Sequence, residues 1–147
     1  MTELFIDCEF SGENLISMAI VDLNGEFEFY EVLELSPSIS IYPWVKENVL
    51  PILNKSPVPY LHFQQKLWEF LYSIPYMDLS INADWPQDLI HFLNSILLKD
   101  GYLGMLPIPK FQLKLDRRLS SKKAEIPHNA LSDAYAIRDS YRDLKND

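Results

Sequence analysis

Leu4-Phe5-Ile6-Asp7-Cys8-Glu9-Phe10-Ser11-Gly12 decides how this chain is read. Two carboxylates stand one residue apart in a run that otherwise has the composition of a buried strand. Side chains on a strand alternate faces, so residues i and i+2 point the same way, about 6–7 Å apart. Leu4, Ile6, Cys8 and Phe10 are expected to form an apolar face, with Asp7 and Glu9 projecting together from the other. Like charges so placed are unfavourable unless something positive sits between them. Either a divalent cation bridges them, or one face of an edge strand is simply wet.

Outward from this strand, Ser11-Gly12-Glu13-Asn14 turns the chain into a second strand, Leu15 to Asp22. Asn24-Gly25, a dipeptide preferred in tight hairpins, leads into a third, Glu26 to Leu35. Ser36-Pro37-Ser38 ends this antiparallel meander. Tyr42 to Asn54 reads as a helix with Pro43 in its first turn and Pro51 near its end. A Lys55-to-Pro59 linker precedes a helix over Tyr60 to Ser73, with Leu61, Leu67, Trp68, Leu71 and Tyr72 at helical spacing. Met77 to Ala83 is a short strand. Pro86 to Leu98 is a helix with an apolar face of Leu89, Phe92, Leu93 and Ile96. In Gly101 to Lys114, Pro107 and Pro109 favour a loop, with an edge strand expected over Phe111 to Leu115. Leu131 to Leu144 forms the last helix. This order predicts an α/β fold: a mixed sheet with a hairpin-rich edge and helices on its faces.

The 147 residues, 48% hydrophobic, are expected to form one domain, residues 1–147, with a core that needs no disulfide. The single cysteine, Cys8, suits a reducing cytoplasm. No apolar run approaches the roughly 20 residues that span a bilayer, so no membrane partner is expected. The acidic, strand-forming N-terminus does not have the pattern of a signal peptide.

A net charge of −8 argues against a nucleic-acid partner until its distribution is considered. No Lys or Arg precedes Lys46. Lys110, Lys114, Arg117, Arg118, Lys122 and Lys123 then stand against one acid, Asp116. This stretch is either a phosphate-binding strip or an ordinary solvated basic loop.

Two later segments supply carboxylates to match Asp7 and Glu9. In Leu79-Ser80-Ile81-Asn82-Ala83-Asp84-Trp85-Pro86-Gln87-Asp88 a strand runs into a helix. Asp88 sits where the helix dipole favours negative charge, and Asp84 and Asp88 can also be read as plain N-terminal capping groups. In Pro127-His128-Asn129-Ala130-Leu131-Ser132-Asp133, a single regular helix would leave His128 and Asp133 about 140° apart. They share a site only if His128 lies in the loop before the helix, a geometry favoured by Pro127 and a capping Asn129. His91, three residues after Asp88, is the one rival for a basic imidazole. His62 reads as a surface or interhelical residue.

Asp7-Cys8-Glu9, Asp88 entering its helix after a strand, and His128 followed by four residues and Asp133 resemble the three motifs of the DEDDh 3′–5′ exonucleases. Phe5-Ile6-Asp7-Cys8-Glu9-Phe10, Leu15-Ile16-Ser17, Trp44-Val45-Lys46-Glu47-Asn48-Val49-Leu50-Pro51 and His128-Asn129-Ala130-Leu131-Ser132-Asp133-Ala134 are similar to the small bacterial exoribonucleases related to ribonuclease T. This resemblance implies a ribonuclease H-like, five-stranded mixed sheet whose first three strands are antiparallel. It implies that Asp7, Glu9, Asp88 and Asp133 hold metal and that His128 is the general base. The expected substrate is a single-stranded 3′ end, RNA in preference to DNA, in RNA processing. Homodimers are common among such relatives, one subunit's basic surface serving the other's active site. One departure stands out: Asp84 lies four residues before Asp88, where the wider family often has Asn or another residue.

Carboxylates without thiolates suit hard cations, Mg²⁺ or Mn²⁺. Four of them can hold two ions about 4 Å apart, the spacing used for in-line displacement at phosphorus. Histidine, with an ordinary pKa near 6.5, can accept a proton at neutral pH. Phe10 either stacks on the terminal base or packs against the sheet. The alternative from a different class is a non-catalytic nucleic-acid-binding or interaction module on the same fold.

Overall fold

A computed structural model describes residues 1–75, 78–98, 104–105 and 110–147. Strands β1 (Thr2–Ser11), β2 (Asn14–Asp22) and β3 (Glu28–Val32) form the meander, followed by helices α1 (Pro43–Asn48) and α2 (Tyr60–Ser73). Then come β4 (Asp78–Ala83), α3 (Pro86–Ser95), the two-residue strands β5 (Leu97–Leu98) and β6 (Gly104–Met105), edge strand β7 (Lys110–Leu115) and α4 (Ala130–Asn146). The main sheet has the order β3-β2-β1-β4-β7. β1 and β3 run antiparallel to β2, while β4 runs parallel to β1 and β7 parallel to β4. This is the ribonuclease H-like arrangement: three antiparallel strands, two parallel ones and helices on both faces.

The central position of β1 explains how the first strand differs from expectation. Leu4, Ile6 and Cys8 do enter one core, with Met18 and Ile20 of β2, Phe63, Leu67, Phe70 and Leu71 of α2, Phe92 of α3 and Ile96 just after it. Phe10 is half-buried against that core. The opposite face is no wet edge. Phe5, Ala19 and Val21 pack beneath Ala130, Ala134 and Ile137 of α4, and the Phe5 and Tyr141 rings lie 5.0 Å apart. A strand covered on both sides loses the simple apolar–polar alternation. Asp7 is therefore buried, not solvated.

Other boundaries move for local reasons. The helix expected over Tyr42 to Asn54 is broken: α1 stops at Asn48, and Leu50–Ile52 forms a tighter 3-10 turn. Pro51 has no N–H with which to continue an α-helical ladder. Strand β3 ends at Val32, short of Leu35, beyond which Leu33 only bridges to Val58. On α2 the buried face is Phe63, Gln64, Leu67, Phe70 and Leu71, whereas Leu61 and Tyr72 face solvent. The helix expected over Pro86 to Leu98 ends at Ser95. Its buried face is Asp88, His91, Phe92 and Ser95, and Leu93 is exposed. The edge strand over Phe111 to Leu115 is present as β7. Met77, and Pro107 and Pro109 of the expected loop, lie outside the described residues. Among the described residues no helix is long and apolar enough to cross a membrane.

Candidate metal centre

Three elements deliver carboxylates to one place. β1 carries Asp7 and Glu9 past the last β1–β4 partner, Phe5 opposite Asn82. Beyond that point β1 no longer pairs with β4, and the Cys8 N–H donates to Asp88 Oδ1 of α3 instead, at 3.1 Å. The strand and the helix start are thus locked together through the putting of a backbone donor against a carboxylate, a bond strengthened by the charge of its acceptor. The β1–β2 ladder has a register shift between Glu9 and Phe10; such irregularities re-aim side chains near sites. α4 brings Asp133 from its first turn.

The result is two acid groups that share one member. Asp7, Glu9 and Asp133 each present an oxygen within 4.8 Å of the other two, and so do Asp7, Asp84 and Asp88. All four predicted ligands therefore converge, and Asp84 joins them. In sequence Asp84 stands four residues before Asp88 but ahead of the helix, so helical periodicity does not orient it.

The electrostatics are those of crowded carboxylates that resist ionisation together. Burial, then the charges of Asp88, Glu9, Asp133 and Asp84, push the Asp7 carboxyl well above the usual carboxylate range. Burial and Asp133 push Glu9 up to about 9. Burial and Asp84 push Asp88 up to about 8, against the Cys8 N–H that favours its charged form. Burial raises Asp133 to about 6, opposed by its hydrogen bond with Glu9 and by His128. Among the described residues no Lys or Arg forms an ion pair with any of the five acids. Asp7 Oδ2 is buried with no hydrogen-bond partner among the described residues. A buried carboxylate oxygen without a partner is costly, and a cation is one group that could satisfy it. Oxygen-only donors fit Mg²⁺ or Mn²⁺.

His128 lies in the loop before α4, exposed, with a left-handed φ of 69°. The loop is braced around it. Asn129 caps α4 by accepting from the Ser132 N–H at 3.1 Å, while its amide donates to Ile52 O at 2.9 Å. The Ile126 N–H donates to Ser132 Oγ at 2.9 Å. The Trp44 ring of α1 meets the imidazole edge-on, centroids 4.8 Å apart. His91 is buried instead, its ring 5.0 Å from Phe10, and burial lowers its pKa. That contact uses Phe10 for packing on α3. His62 is exposed.

The basic stretch is divided among several tasks. Lys114 pairs with Glu3 at 3.3 Å and Arg118 with Asp116 at 2.8 Å. Arg117 lies over the Trp85 ring, 4.8 Å from its centroid. Lys110, Lys122 and Lys123 are exposed without ion pairs among the described residues. No protein-family model matches the chain, and no curated protein matches it in sequence.

Proposed function

We propose that this chain is a metal-dependent 3′–5′ exonuclease of the DEDDh type, acting on single-stranded 3′ ends in the cytoplasm, with RNA preferred to DNA. The observation that carries the proposal is the pair of carboxylate groups sharing Asp7, whose Oδ2 has no hydrogen-bond partner among the described residues. The polarity and the RNA preference rest on the motif resemblance. A binding module would have no use for buried, mutually repelling acids that cannot all be charged without a cation.

When bound, two hard cations supply Lewis acidity toward the attacking water and the leaving 3′ oxygen. Asp7, Glu9 and Asp133 would hold one, and Asp7 and Asp88 the other. The protein's own contribution is positioning. The Cys8–Asp88 bond fixes the helix-borne carboxylate against the strand pair. The capped start of α4 fixes Asp133 relative to His128. An imidazole nitrogen of His128 accepts the proton of the attacking water, and its exposure lets that proton pass to solvent. The exposed lysines, with Arg117, offer charge to the sugar–phosphate backbone entering the site.

A 5′-labelled single-stranded oligoribonucleotide incubated with Mn²⁺ tests this. The expected product is a ladder shortened one nucleotide at a time from the 3′ end, absent in EDTA. Retention of the intact oligonucleotide with Mn²⁺ present would favour a binding module, and cleavage at internal positions would overturn the polarity.

A further inference from the structure

Asp84 stands outside the four carboxylates of the motif set, and the two ordinary explanations for it fail. An acid just before a helix normally caps it, but the N-cap of α3 is Trp85, and no side chain bonds the helix start. An acid beside an arginine normally pairs with it, but no ion pair joins Asp84 to Arg117, whose guanidinium is over Trp85 instead. What Asp84 does have is an oxygen within 4.8 Å of oxygens from both Asp7 and Asp88. Asp7, more than nine-tenths buried, keeps an unpartnered Oδ2 in the same cluster.

We infer that Asp84 is a fifth carboxylate ligand, which with Asp7 and Asp88 surrounds the second of two divalent cations, and that Arg117 offsets the added charge toward the substrate. This rests on the two-cation reading above. Four carboxylates neutralise two divalent ions, and a fifth leaves one net negative charge. An anionic phosphodiester would be repelled by that excess unless a fixed cation stood nearby. Arg117 meets the requirement. It follows β7, the strand parallel to β4 whose end leads into Asp84, and its stacking holds a planar guanidinium, the group suited to phosphate, over Trp85, the residue next to Asp84. Additional ligand charge raises cation affinity, so the second ion is retained where a two-carboxylate position would lose it.

Titration of the metal-free protein with Mn²⁺, followed by the electron paramagnetic resonance of free Mn²⁺, tests the assignment without any substrate. The wild type is expected to take up two ions per chain. Asp84→Asn should bind one ion unchanged and the other about 10–100-fold more weakly, the scale on which ligand-shell changes act. Circular dichroism of the variant verifies that it is folded, and Asp84→Glu, which keeps the charge, should recover most of the lost affinity. Two ions bound by Asp84→Asn with wild-type affinity would overturn the fifth ligand and leave the exonuclease reading intact. No Mn²⁺ uptake by the wild type would overturn both. Arg117→Gln should leave Mn²⁺ affinity undiminished but raise KM for the oligonucleotide about tenfold, the scale of one lost hydrogen bond to a charged group, with kcat less affected. An unchanged KM would remove Arg117 from the inference.

Discussion

Replacing Asp7 with Asn is expected to reduce hydrolysis by about 10³-fold or more, the equivalent of several kcal/mol of transition-state stabilisation, while raising the melting temperature of the metal-free protein. The two effects have one cause. Asp7 belongs to both acid groups, so its loss weakens both cation positions, yet it also removes the most crowded carboxylate from a buried, repelling cluster. Each kcal/mol of relieved repulsion is worth roughly 3–5 °C in a domain of this size. A variant that melted well below the parent would show that Asp7 holds the fold rather than the chemistry.

The same cluster sets a pH dependence. The folded-state pKa values of Asp7, Glu9, Asp88 and Asp133 are all raised, with Glu9 reaching about 9 and Asp88 about 8. The folded, metal-free chain therefore keeps protons that the unfolded chain releases near pH 4. Stability linked to these groups is fully present below the unfolded values and is lost as pH rises through the folded ones. In EDTA the melting temperature should fall between about pH 4 and about pH 9, and the fall should be shallower for Asp7→Asn. Mn²⁺ at 100 times its dissociation constant should add about 2.7 kcal/mol at the alkaline end. A melting temperature independent of both pH and Mn²⁺ would contradict the arrangement.

His128→Ala should retain Mn²⁺ binding and lose activity by about 10²–10⁴-fold, the usual contribution of a positioned general base. His91→Ala makes the discriminating comparison. Its ring is buried against Phe10 in α3's packed face, so its loss should lower stability and leave the pH profile of catalysis unchanged. If His91→Ala abolished activity and His128→Ala did not, the roles of the two histidines would be reversed.

Much of this architecture can be read from local signals. Asn24-Gly25 marks the β2–β3 hairpin because its Gly25 adopts a φ of 74°, open to glycine at little cost. Tyr60 to Ser73 is helical throughout, as the spacing predicts. Which face of that helix is buried could not be read, because Leu61 and Tyr72 are as apolar as Phe63 and Phe70 and only the sheet beneath distinguishes them. The pairing of Asp7 with Glu9 is legible in two residues, whereas the covering of this face of β1 depends on α4, more than a hundred residues later. Asp84 is the clearest case. Its neighbours in sequence suggest a cap, and only the approach of Asp7 on β1 gives it a different set of partners.

Diffraction from crystals soaked in Mn²⁺, recorded for its anomalous signal, tests the central claim most directly. Two peaks are expected about 4 Å apart, one among Asp7, Glu9 and Asp133 and the other beside Asp7 and Asp88, with Asp7 touching both. An absence of peaks at these carboxylates, in crystals whose dissolved protein still shortens oligoribonucleotides, would contradict it.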